Sequence, residues 1–433
     1  MFVTLTLNPC IDLNLEVEDF RFDEPLRALR ERKRPGGKGI NVSVVLGILG
    51  MDSVALAPLG GSAGEEFLQL AGKNLTGREP GVRQAESIGL KRLAEGSRAK
   101  TGGTRLAAES RAKTGRTRLA AQSQAKTGKM RLVSVSAAAP TRTNIVITSQ
   151  RDGRHLKVNQ RGGPLAPAEL DAVFGRLRAL MRPGDWLVLA GSLPPGAPDE
   201  TYARLIREFQ ARGCFTALDA DGEAFRLGVQ AGPDIVKPNL RELEGFARRP
   251  LRTRAALLIA AGEILGLGTR LCLITDGPRA AWLVARGGAG LSATGPSSAR
   301  LSSAGLFAAW KGIPPRAHGS PTGAGDAALA GLLAGLAAGR VSRRGESTSA
   351  SLFSASSPST PSTASTPSTK PGRPRAANGP RAADKVWNTR ALEKAFRLAL
   401  ACGSASASTP DTEYFDPGLL KDMLKRAEIE RIS

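Results

Sequence analysis

The chain has 433 residues but only two histidines and four cysteines. Two histidines leave little material for His-based metal sites or for Ser–His–Asp triads. The cysteines, Cys10, Cys214, Cys272 and Cys402, lie far apart with no C-x-x-C spacing. That argues against a zinc ribbon or a disulfide scaffold and fits a reducing compartment. No apolar run approaches the roughly 18–20 residues of a membrane span. The opening MFVTLTLNP reads as a strand rather than a charged-then-apolar leader. The Walker A pattern G-x-x-x-x-G-K-[ST] is also missing. The expectation is a soluble, cytoplasmic protein without a membrane role.

Positive charge, by contrast, is abundant: 61 Lys+Arg against 39 Asp+Glu, a formal net of +22. Taken alone this suggests a nucleic-acid or anionic-surface partner. The charge is concentrated, however. Residues 73–133 carry 15 basic and 4 acidic residues, and contain three 13-residue repeats starting at Arg92, Arg105 and Arg118. Each repeat offers one Leu and a few Ala to bury, too little for a solenoid unit, so the stretch is predicted to be a disordered insertion. It contains no aromatic residue to stack on bases; weak polyanion contact is the role left to it. A second stretch, 343–385, is Ser/Thr/Pro-rich and carries 7 basic and 2 acidic residues, a composition that predicts a solvated linker. The remaining body is of ordinary enzyme size with a mild positive bias.

In that body strands and helices alternate. Residues 2–7 and 13–17 read as strands, 39–49 as a helix entered through a glycine turn, and 53–57 as another strand. Strands at 144–148 and 155–158 are joined by Arg151-Asp152-Gly153. Helices at 167–180 and 199–212 precede strands at 186–190 and 215–218. A strand at 234–236 leads into the helix 240–247, and the helix 254–265 into the strand 271–275. Near-continuous apolar strands between amphipathic helices predict an α/β fold with a mainly parallel sheet covered on both faces. The short alternating strands at about 13–34 and 141–161 predict a small antiparallel β lid.

Three clusters carry chemistry. In 319–337, GSPTGAGDAALAGLLAGLA, the turn Gly323-Ala324-Gly325 leads into an apolar helix with Asp326 in its first turn. Unpaired N–H groups and the helix dipole make such a terminus an anion site. An acid beside an anion site can take the proton of a hydroxyl attacking a phosphoryl group; equally, Asp326 can simply cap the helix. The second cluster, RPGGKGINVSVVLGILG at 34–50, lets backbone approach a ligand closely, and its Asn41 can bond a sugar hydroxyl; it also suits a plain tight turn. In the third, VKPNLRELE at 236–244, Asn239 and Glu242 share one face of a helix start. That spacing suits contact with Mg²⁺–phosphate or ordinary solvation.

Together and in this order, these clusters resemble the ribokinase-like (phosphofructokinase B) family of carbohydrate kinases. TLNPCIDL (6–13), LAGSLPPGAP (189–198) and LITDGPRAAWLV (273–284) also fall in the family's order. TLNP, GSLPPG, KPNxxEL and TRTNIVI (141–147) are most similar to its 1-phosphofructokinase and tagatose-6-phosphate kinase branch. The resemblance implies a single three-layer α/β/α kinase domain with a β lid, using ATP and Mg²⁺ on a phosphorylated ketohexose. Fructose 1-phosphate is favoured by VNQRGGPL (158–165), and tagatose 6-phosphate and fructose 6-phosphate are the alternatives. It implies that Asp12, Gly37, Lys38, Asn41 and Ser192 orient the sugar and that Arg142 and Lys157 hold its phosphate. Lys237, Asn239, Glu242, Thr275, Gly277 and Ser404 would serve the nucleotide, with Asn239 and Glu242 reaching Mg²⁺ through water. Asp326 would be the base, and the Gly323–Gly325 backbone the anion hole. A homodimer through the lid is a further implication. One departure stands out: the nucleotide stretch ends in Ala280 where the family usually has glycine, which predicts a tightened turn and weaker ATP binding.

Overall fold

The computed structural model describes residues 1–21, 23–74, 130–286, 307–317, 322–345, 387–409, 415 and 417–432. They form two compact units, Met1–Pro233 and Asp234–Ser433.

The first unit is built on five parallel strands: β1 (Phe2–Leu5), β4 (Ser53–Leu59), β5 (Met130–Ser136), β8 (Trp186–Ala190) and β9 (Phe215–Asp219), in the order β9-β8-β1-β4-β5. Every residue of β1, β4 and β8 is buried. A parallel strand covered on both faces shows no polar alternation, hence the continuous apolar runs. Helices α1 (Lys38–Ile48), α2 (Gly61–Asn74), α3 (Pro167–Leu180), α4 (Thr201–Ala211) and α5 (Gly222–Gln230) connect and cover them. β2 (Cys10–Val17), β3 (Arg30–Gly36), β6 (Arg142–Ser149) and β7 (His155–Asn159) make a separate sheet in the order β3-β2-β6-β7. It was expected to be antiparallel, but β2 pairs with β6 in parallel. The two strands are far apart in sequence, so no hairpin dictates their direction.

In the second unit β10 (Ile235–Val236) pairs in parallel with β11 (Leu271–Asp276), and β12 (Ala280–Arg286), β13 (Phe307–Ile313) and β14 (Glu428–Arg431) continue antiparallel. Its helices are α6 (Leu240–Ala247), α7 (Arg254–Gly266), α8 (Ala324–Gly345), α9 (Thr389–Ala407) and α10 (Pro417–Arg426).

The predicted insertions lie mostly outside the described residues, at 75–129 and 346–386. Their edges need correction. Residues 73 and 74 end α2, residues 130–133 open β5, and residues 343–345 end α8. The edge strand β5 escaped detection because MRLVSVS follows directly on the basic repeat and has a single fully buried residue, Val133. Among the described residues no helix is long and apolar enough to cross a membrane.

Helices α8 and α9 meet through small residues. A Cβ at Gly335 would lie 2.6 Å from Ala395 Cα and 2.8 Å from its Cβ. The contact is therefore backbone against backbone, with no side chain able to swing aside. Gly335→Val is expected to cost about 1–3 kcal/mol by overpacking. Calorimetry should show a lowered Tm; an unchanged Tm would contradict this packing.

Candidate active site

In the first unit the polar side chains collect where strands end. Asp12 lies on β2, opposite Arg34 on β3 and Asn144 on β6. Its Oδ1 accepts hydrogen bonds from Asn144 Nδ2 (3.2 Å) and Cys10 Sγ (3.2 Å). The carboxylate occupies the space over Gly36, where a Cβ would come within 2.1 Å of Oδ2. Any side chain at 36 would displace it. The next residue, Gly37, has φ +127°, a conformation L side chains rarely adopt, and sets the entry to α1. The glycines of RPGGKG thus seat an acid and start a helix. Burial raises the pKa of Asp12, against hydrogen bonds from Cys10 and Asn144 and the positive charges of Arg142 and Arg34. Lys157, on β7, is lowered by desolvation, which the charge of Asp12 opposes.

Arg142 is held on main-chain oxygens: Nε and Nη2 donate to Asn8 O (3.3 and 3.1 Å) and Nη1 to Gln160 O (2.6 Å). Asn8 is therefore central, and it was missed as a site residue. Its side chain donates to Arg161 O (3.0 Å) and to Ser192 Oγ (3.3 Å). In the sequence Asn8 shows only as part of the TLNP motif, three residues beyond β1. Lys38 Nζ reaches Asp219 Oδ1 at 2.8 Å. Asn41 is buried in α1. A small open cleft is lined by Asn8, Thr141, Arg142, Gly162 and Pro194 among others. Arg142, Asn8 and Ser192 are thus joined by hydrogen bonds, and the charge of Arg142 acts on Asp12.

In the second unit Gly323 has φ +80° and its carbonyl accepts from Ala327 N (2.9 Å), opening α8. Asp326 sits in that first turn, 6% exposed. Lys237 is 4% exposed, and its Nζ lies 3.2 Å from where a Cβ of Gly325 would be. The absent side chain at 325 lets this ammonium approach the helix start, adding its charge to the positive end of the dipole. Asn239 bridges to Thr275, whose N donates to Pro238 O (3.1 Å), so the KPN and ITDG segments run side by side.

Asn239 and Glu242 bond to each other. Asn239 Oδ1 accepts from Glu242 N (2.9 Å) and Glu242 Oε2 accepts from Asn239 N (2.8 Å), a capping box at the start of α6. Gly277 lies in the β11–β12 turn at φ +54°. Ala280 is not in a strained turn: it opens β12 as a buried residue paired with Asp276. The predicted tightening does not arise, because position 280 has an ordinary strand conformation that alanine accepts. Ser404 is buried on α9, and among the described residues its Oγ has no hydrogen-bond partner. Its neighbour Gly403 packs on the start of α8, with a Cβ position 3.2 Å from Ala324 O.

The sequence pattern of the pfkB family of carbohydrate kinases matches residues 5–75 and 123–357. The chain belongs to that family. Its members are phosphotransferases with a hydroxyl acceptor. A 1-phosphofructokinase of Xanthomonas campestris pv. campestris is 30% identical over 340 residues, 77% of this chain and 83% of the relative. A 1-phosphofructokinase of Rhodobacter capsulatus is 29% identical over 76% of this chain and 82% of its own length. Among solved structures, phosphofructokinase-2 from Escherichia coli in complex with potassium has a TM-score of 0.64 at 20% identity, covering 98% of both chains. That likeness establishes the ribokinase-like fold of this pfkB chain.

The raised carboxyl of Asp12 has a consequence for stability. A group whose pKa is raised on folding penalises the folded state when ionised. The penalty is absent below the ordinary aspartate range and grows as pH rises through it. The Tm of Asp12→Asn relative to the native protein should therefore rise between about pH 3 and pH 7, by calorimetry at both values. A constant difference would show that burial of this charge costs nothing.

Proposed function

We propose that this pfkB-family chain transfers the γ-phosphoryl group of ATP to a hydroxyl of fructose 1-phosphate. The observation that carries the reading is the set of charges on the first unit: the carboxylate of Asp12 with the charges of Arg142 and Lys157 acting on it, and Lys38 paired with Asp219. A carboxylate suits sugar hydroxyls, while guanidinium and ammonium groups suit a phosphate already on the sugar. The relatives named 1-phosphofructokinase support the choice of substrate.

In this reading Asp12 and Asn41 accept and orient the sugar hydroxyls, with Gly37 and Ser192 shaping the floor. Arg142 exchanges its carbonyl partners for phosphate oxygens, and Lys157 adds a second charge. Asp326 takes the proton of the acceptor hydroxyl as its oxygen bonds to the γ-phosphorus, and the bond from that phosphorus to the ADP oxygen breaks. The N–H groups of Gly323, Ala324 and Gly325, with Lys237, stabilise the charge spreading over the transferred group. Thr275, Gly277 and Ser404 border the nucleotide.

For Mg²⁺, one oxygen of Glu242 is already committed to the helix cap, and the described residues hold no acidic cluster of metal-ligating type. Contact through water fits that donor set, since Mg²⁺ keeps several waters and uses one or two carboxylates beside the phosphates. When bound with ATP, Mg²⁺ would offset phosphate charge, with Glu242 and Asn239 holding its water shell.

The lid also supplies a surface for a homodimer: Leu156 and Val158 on β7 are 50% and 47% exposed. Sedimentation should show a dimer that Leu156→Asp dissociates, and a monomeric native protein would remove that role.

Function is tested by ADP release with fructose 1-phosphate, tagatose 6-phosphate and fructose 6-phosphate. The first is expected to give the highest kcat/KM. Asp326→Asn should lower kcat by about 10²–10⁴ with little change in either KM. An unimpaired kcat in that variant would reject Asp326 as the base. No turnover of any of the three above a no-sugar blank would leave an inactive kinase fold whose basic stretches contact polyanions.

A further inference from the structure

Asp219 has no place in the roles above, yet it is fully buried and held against a lysine. It is the last residue of β9, 0% exposed, and its Oδ1 lies 2.8 Å from Lys38 Nζ, whose side chain is 33% exposed. The two residues are 181 positions apart. A buried carboxylate opposite a lysine is weak support for stability, because desolvation offsets most of the attraction; in some proteins such a pair instead fixes a geometry. Here the geometry is that of Lys38, the long flexible side chain between the glycines of the run.

The main chain of Asp219 acts on a second candidate. Its carbonyl accepts from Gly191 N at 2.9 Å, and the carbonyl of Gly191 accepts from Tyr202 Oη at 3.0 Å. Gly191 precedes Ser192, whose Oγ accepts from Asn8 Nδ2, and the carbonyl of Asn8 accepts from Arg142. One residue therefore stands where two branches meet: its side chain fixes Lys38, and its backbone fixes the turn leading to Ser192, Asn8 and Arg142. All of this lies at or just beyond the carboxyl ends of β1, β8 and β9, where parallel sheets place their ligands.

We infer that Asp219 is a positioning residue for the sugar phosphate: it holds the Lys38 ammonium, before substrate arrives, in the place it occupies on the bound phosphosugar. A lysine already ordered loses less freedom on binding, so the effect falls on the KM of the sugar and not on that of ATP. The inference rests on the kinase reading given above.

The test compares the native chain, Asp219→Asn, Lys38→Met and the double variant in steady-state assays with fructose 1-phosphate and ATP, alongside Tm measurements. Asp219→Asn keeps the shape and removes the charge. It should raise the sugar KM about tenfold, a typical coupling within one hydrogen-bonded network, with the ATP KM unchanged. Because the aspartate acts through the lysine, the double variant should lie within about threefold of Lys38→Met alone. A lowered Tm with both KM values unchanged, or single effects that multiply in the double variant, would overturn the inference. Should Asp219→Asn fail to fold, the double variant decides, since it removes both charges together. Its sugar KM must then rise with the ATP KM intact, and a native sugar KM would be decisive against the role. A native chain inactive on all three sugar phosphates sinks the kinase reading and this inference together, whereas an active native chain with an unaltered Asp219→Asn sinks this inference alone.

Discussion

Five parallel strands of the first unit are packed between covering helices, and β1, β4 and β8 admit no exposed residue along their length. Polar chemistry in such a sheet has one natural location, the loops where the strands finish. Leu5 on β1 pairs with Leu189 on β8, and the next residue of β8, Ala190, pairs with Asp219 on β9. Asn8, Ser192 and Asp219 therefore arrive together although they lie far apart in the sequence. The close approaches in the glycine-rich segment follow from the same crowding: Gly36 makes room for the carboxylate of Asp12, and Gly37 turns the chain into α1.

The arrangement places charge where burial opposes it. Asp12 is raised by desolvation despite two hydrogen-bond donors and two neighbouring guanidinium groups, and Asp219 has no exposed surface. Neither of these is a favourable way to stabilise a fold. Both become reasonable if the region receives a ligand that is both hydroxylated and anionic, because the ligand supplies the partners that water otherwise would. In the second unit Lys237 and Asp326 are likewise buried, at the start of α8, where the helix terminus favours negative charge from a ligand.

The net charge of +22 has little bearing on this chemistry. Most of it lies in 73–133 and 343–385, and the family match passes over residues 76–122. Here the charge is a property of one repeated segment and one Ser/Thr/Pro-rich segment. The body that carries the strands, helices and glycine-rich turns has the modest positive bias that suits phosphorylated ligands.

The features legible in the sequence were those whose physics is local. A turn that needs glycine, an acid in the first turn of a helix and an apolar run long enough to bury are each written within about ten residues. That is why Asp326 with Gly323–Gly325, the RPGGKG segment and most of the parallel strands could be placed from the residues alone. Asn239 and Glu242 were also legible as a helix start, and their mutual capping is a local contact. What the tertiary structure decided was everything that depends on distant segments meeting. The parallel pairing of β2 with β6, the edge strand β5 beside the basic repeat, the unstrained strand position of Ala280 and the carbonyl partners of Arg142 belong here. So do Asn8 and Asp219, ordinary polar residues at strand ends in the sequence. They gain a role only when parallel pairing brings those ends side by side, since a hydrogen bond depends on distance in space and not on separation along the chain.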